Sequence, residues 1–184
     1  MKRATSILGA ALLTLTLAAT IAYATQIVYA SPQKLGQVSS LVVRGKVEGV
    51  RSFWNETGTK IMTETVLNVD ETYKGPSRRS VRIIQLGGVV DNLRMHVHGA
   101  LSWRLDEEVL LFLEPYDSES YRVTGFSQGK FGIERDPRSG RMFIRQPDVE
   151  AADVKGAPAA REAAPVSRST RISLEQFITD TLGR

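Results

Sequence analysis

The chain has 184 residues, no cysteine, two histidines and a formal charge of +4. Without cysteine it offers no thiol nucleophile, thiolate zinc site or lipid-attachment cysteine, and an exported domain of this kind must fold on burial alone. Its acidic and basic residues are mixed along the chain, which describes a solvated surface; nothing demands a nucleic-acid partner, and the export expected from the N-terminus argues against one.

The first 24 residues predict a secretory signal peptide. Lys2 and Arg3 precede an uncharged apolar run from Ile7 to Ile21, and Ala22-Tyr23-Ala24 puts small residues at the two positions a signal peptidase reads. Thr14, Thr16 and Thr20 interrupt a run already shorter than the roughly 20 apolar residues of a membrane span. The mature chain then starts at Thr25, with Ala30 as a second possible cut site and an uncleaved anchor as the alternative. Loss of the two N-terminal cations lowers the formal charge from +4 to +2. The expected location is periplasmic or secreted, bacterial export fits best, and no stable membrane span remains after processing.

From Thr25 the pattern is one of strands and turns. Gln26 to Tyr29 reads as a short strand, and Ser31-Pro32 opens a brief helix with Leu35 and Val38 on one face. Leu41 to Val50 alternates Leu41, Val43, Gly45 and Val47 inward against Arg44, Lys46 and Glu48. Ile61 to Asp70 alternates again, with Thr63, Thr65, Leu67 and Val69 opposite Glu64, Asn68 and Asp70, until Lys74-Gly75-Pro76 ends it. Val81 to Leu86 and Leu93 to Val97 follow as shorter strands. Val109 to Leu113 is the most apolar stretch and predicts a central strand covered on both faces. Tyr121 to Thr124, Lys130 to Ile133 and Met142 to Arg145 complete the set, the last two joined by a turn over Asp136 to Gly140.

Many short, closely spaced strands predict a mostly β fold over 25–146, a small five- or six-stranded OB-type barrel, with a sandwich as the competing arrangement. Residues 147–171 contain three prolines and seven alanines and read as a linker. Residues 172–184 predict a terminal helix capped by Ser173 and Gln176, with Leu174, Phe177, Ile178, Thr181 and Leu182 on one face. That face either returns to the barrel or docks on another protein, since a lone helix this short is marginal in water.

The ordered segments Leu41-Val42-Val43-Arg44-Gly45-Lys46-Val47, Tyr73-Lys74-Gly75-Pro76, Val81-Arg82-Ile83-Ile84 and Asp106 to Leu113 carry a resemblance. Their order and spacing resemble the N-terminal netrin-like domain of tissue inhibitors of metalloproteinases. They equally resemble exported bacterial proteins that share this plan, with Gly87-Gly88, Gly129-Lys130-Phe131 and a terminal helix. The resemblance implies an oligonucleotide/oligosaccharide-binding-type barrel. It does not carry over the inhibitory wedge of the animal proteins, which uses an N-terminal cysteine where this chain has Thr25 or Ser31.

Candidate chemistry is sparse. His96 and His98 share one side of a short strand and are the weak candidates for a metal, with Asp91 or Glu107 as third ligand. The alternative is a solvated pair beside Arg94 and Arg104, whose charges repel a cation. Asp106-Glu107-Glu108 reads as a solvated turn rather than an acid/base pair. Ser102 and Ser127 lack a nucleophile elbow, and Thr57-Gly58-Thr59-Lys60 lacks phosphate-loop spacing. Phe53, Trp54 and Trp103, with Arg51, Arg94 and Arg104, are candidates for a binding face at the barrel mouth, unless the tryptophans cap the barrel ends. The expected function is an exported, non-enzymatic binding module without cofactor, recognising a secreted protein or a glycan. Modulation of a co-exported zinc metalloprotease is the alternative.

Overall fold

The computed structural model describes residues 27–145, 154–155 and 171–183. The expected signal peptide and most of the linker lie outside the described residues. Within the linker range, β11 (Val154–Lys155) forms a short parallel pair with β1 (Ile27–Val28), so that segment contributes one strand where only linker was expected. Among the described residues no helix is long and apolar enough to cross a membrane.

The protein is mostly β. Helix α1 (Pro32–Val38) begins where the Ser31 hydroxyl accepts from Lys34 N–H at 3.2 Å. Leu35 is buried as expected, but Val38 ends the helix and faces solvent. Two long strands follow, β2 (Leu41–Trp54) and β3 (Ile61–Lys74), paired antiparallel along their length. The register shifts at three places, between Val42 and Val43, Arg44 and Gly45, and Val47 and Gly49. Each irregularity adds bend and twist, so the hairpin curls rather than lying flat. Gly45 is required where it sits, because a Cβ there would collide with the Asn68 carbonyl.

β4 (Ser80–Leu86), the small hairpin β5 (Gly88–Val90) with β6 (Leu93–Met95), β7 (Glu108–Pro115) and β8 (Tyr121–Val123) come next. A 3-10 turn (Phe126–Gly129) leads to β9 (Lys130–Arg135), β10 (Met142–Arg145) and finally helix α2 (Leu174–Leu182). One seven-stranded sheet runs in the order β10-β9-β7-β2-β3-β4-β8, and β7 also pairs with β8. The curl therefore returns on itself through five strands, β7-β2-β3-β4-β8, with β9 and β10 attached outside that circuit. The circuit is not a clean barrel. β4 and β8 run parallel and share the single pair Ile83↔Tyr121, which leaves an open seam beyond it.

Two apolar cores result. Leu41, Val43, Val47, Leu67, Val109, Leu111 and Leu113 fill the inside of the curl. Val42, Leu110, Phe112 and Phe131 form a second core on the outer face with Leu35 of α1 and Leu174, Phe177 and Ile178 of α2. β7 is thus covered on both faces, as its unbroken apolar run predicts. The terminal helix returns to its own sheet. Its Ser173 cap accepts from Gln176 N–H at 3.2 Å, but the Gln176 side chain bonds Asp180 instead of closing the capping box.

Tyr73 sits beside this outer core, its hydroxyl donating to Glu71 at 2.8 Å. Burial, then that hydrogen bond, push its pKa from 10.0 up to about 12, with Arg44 pulling the other way. Below pH 10 the phenol is neutral in both folded and unfolded chains, so its contribution is complete. Above that the unfolded chain ionises first, and stability falls until the folded phenol ionises near 12. Tyr73→Phe should flatten this part of the alkaline stability loss, read by urea denaturation in steps from pH 9 to 12.

Candidate functional site

The outer half of the β2–β3 hairpin and the neighbouring β4 build one face. Register places Arg51 beside Glu64 and Glu64 beside Ile84, and places Phe53 beside Met62 and Met62 beside Leu86. A groove of roughly 990 Å³ opens along this face and continues over the seam to Tyr116 and Phe126. Its charges interlock. Arg51 Nε lies 2.8 Å from Glu64 Oε1, Arg82 Nε 3.8 Å from Glu64 Oε2, Arg82 Nη2 3.2 Å from Glu119, and Arg122 Nε 2.8 Å from Glu114.

Glu64 is only 7% exposed although it stands on the outer face. Its hydrogen bond raises the pKa of Arg51, and the Arg51 guanidinium lies 5.5 Å from the centre of the Phe53 ring. At the far end the Ser120 hydroxyl, then Glu119 N–H, donate to Asp117 and lower its pKa. The groove thus presents apolar side chains among ionised groups of which Arg51, Glu64, Arg82, Glu114 and Arg122 already have partners. Such a surface suits contact with a ligand through shape and hydrogen bonds rather than through net charge.

Of the residues expected at a binding face, Arg51 and Phe53 line this groove and Trp54, Trp103 and Arg94 do not. Trp54 is 38% exposed at the end of β2, opposite Ile61. Trp103 packs against the inner core and donates from Nε1 to Gln85 Oε1 at 3.0 Å. Arg94 sits exposed on the β5–β6 hairpin opposite Val89, and Arg104 is also exposed.

The rings of His96 and His98 meet edge to face with centroids 6.0 Å apart. Among the described residues no third histidine, cysteine or carboxylate completes a metal-binding group with them. Glu107, one expected third ligand, is engaged elsewhere. Lys130 Nζ lies 2.8 Å from its Oε2, 2.6 Å from Ser102 O and 4.5 Å from the Trp103 ring centre. Glu108 in turn pairs with Arg44 at 2.7 Å and Arg135 at 2.8 Å. The expectation of a solvated acidic turn is therefore corrected, because folding brings cations from β2 and β9 onto Glu107 and Glu108. Lys130→Met leaves Glu107 without its near partner in a largely buried place, and should cost about 3 kcal/mol in urea denaturation.

Met62, Glu64, Arg82, Arg122 and Phe126 line the groove and were not singled out from sequence. Period-two alternation marks Glu64 as outward-facing, and only its cross-strand neighbours reveal that Arg51 and Arg82 cover it. Comparison with known protein families and with curated proteins finds no match for this chain.

Proposed function

We propose that this protein is an exported, non-enzymatic binding module that recognises a protein or glycan through the groove beside β4. The observation that supports this reading is the groove itself, an open, preformed concavity lined by Met62, Ile84, Arg51, Phe53 and Phe126 among others. The ion pairs that hold Arg51 and Arg82 reduce the side-chain freedom lost on binding, which favours a recognition surface. The resemblance to netrin-like domains supports the same class, since OB-type barrels are frequently binding scaffolds, and fold alone carries no ligand. Modulation of a zinc metalloprotease rests on an N-terminal edge beginning at Thr25, outside the described residues.

Export is tested by N-terminal sequencing of the mature protein, expected to start at Thr25. Binding is tested by applying the whole chain to a glycan array and to a displayed library of twelve-residue peptides. Retention that is lost in Arg51→Ala and Phe53→Ala variants that keep the native circular dichroism supports the groove. Absence of retention on both, or retention indifferent to these variants, overturns it.

A further inference from the structure

The groove crosses a place where the sheet stops short of closing. Gly87 N–H donates to Ile61 O at 2.8 Å, so Gly87 points toward β3 and its neighbour Leu86, in the next pair of the ladder, points away. Leu86 N–H and C=O and Ile84 C=O are thereby aimed at the seam. On the opposite side Thr124 N–H donates to Phe112 O at 2.9 Å, so Val123, one residue earlier, also turns its main chain toward the seam. Were the parallel ladder to continue past Ile83↔Tyr121, Val123 would bond Ile84 and Leu86. It does not continue. Among the described residues no register pair joins Leu86 to Val123, and both residues line the groove.

A second observation lies at the same place. Phe126 has φ 60°, a left-handed backbone that bulky side chains rarely adopt, and its ring is 57% exposed at the groove edge. A strained backbone that holds a large apolar ring in solvent burdens the free fold, and the ring lines the groove that crosses the seam. Leu86 and Tyr116 are also exposed and line the same groove. The charges around them are matched within the protein, Arg51 with Glu64, Arg82 with Glu64 and Glu119, and Arg122 with Glu114, so the field of the groove favours a ligand carrying no net charge.

We propose that the seam between β4 and β8 binds an extended, uncharged polypeptide segment with alternating apolar residues, which enters as an added strand and completes the barrel. The proposal rests on the binding-module reading and names its ligand. Amide edges turned toward the groove on both walls call for a ligand with its own amide ladder, which a peptide has and a glycan lacks. Alternate side chains of such a strand point inward toward Val123 and outward beneath Phe126.

The test takes peptides recovered from the twelve-residue library and resynthesises them with single N-methyl groups walked along the backbone. Methylation at alternate positions should weaken binding at least about tenfold while the intervening positions tolerate it. Phe126→Gly should raise Tm by relieving the backbone and still weaken the peptide at least about tenfold. Amide exchange at Leu86 and Val123 should slow when peptide is bound. Binding that ignores N-methylation, or leaves these two amides unprotected, overturns strand addition while the binding-module reading stands. Retention of glycans alone overturns the peptide and keeps the module, and retention of neither overturns both.

Discussion

Removal of residues 172–184 should lower the melting temperature by about 15 °C and expose apolar surface to dye. Leu174, Phe177 and Ile178 are at most 7% exposed, and each fully buried side chain of this kind is worth about 1.5–3 kcal/mol. Burial relative to a compact unfolded chain is smaller, which brings the sum to about 5 kcal/mol. The loss extends beyond the helix. Phe177 lies with its ring centre 4.9 Å from Phe131 and 6.4 Å from Phe112, so deletion bares two more rings on the sheet. The contact is close-fitting, since a Cβ on Gly36 of α1 would come within 2.9 Å of Thr181 O of α2. Thermal denaturation with an apolar-surface dye reads both effects together. An unchanged melting curve would mean that the helix contributes nothing to this domain.

Leu111→Asp should abolish cooperative melting altogether. Leu111 is fully buried inside the curl, paired with Val43 on one side and Lys130 on the other. Its side chain joins the inner apolar core, and the neighbouring cation, Lys130, is already held by Glu107 and Ser102 O. A carboxyl there must either ionise unpaired or take up a proton, and either choice costs several kcal/mol on top of the lost packing. That is comparable with the whole stability of an ordinary domain, about 5–15 kcal/mol. Leu111→Ala should cost about 2–5 kcal/mol and keep a melting transition. Leu86→Asp, an equal change of charge on an exposed strand residue, should keep the native circular dichroism. The two aspartate variants together separate the inside of the curl from its rim.

The long strands, the doubly covered β7 and the apolar face of α2 were legible in the sequence because each depends on a local period. Alternation from Leu41 to Val47 is enough to say which side chains go inward, and an unbroken apolar run from Val109 to Leu113 is enough to say that both faces are covered. The helix face from Leu174 to Thr181 follows in the same way from a period of 3.6.

Tertiary structure decided everything that depends on a distant partner. Glu107 meets Lys130 across 23 residues of sequence, and Glu108 meets Arg44 across 64, so the apparent solvated turn became an ion-pair network. Glu64 is covered because curling brings Arg51 and Arg82 to either side of it, and Trp103 turns inward because Gln85 and Lys130 wait there. The open seam is the most distant of these outcomes. β4 and β8 are each ordinary short strands by composition, and only the curl set by the bulges of β2 and β3 brings them parallel for one residue pair and then apart. Composition and periodicity describe what a segment does with its own neighbours. Where two remote edges meet, and where they stop meeting, is set by the accumulated twist of the strands between them.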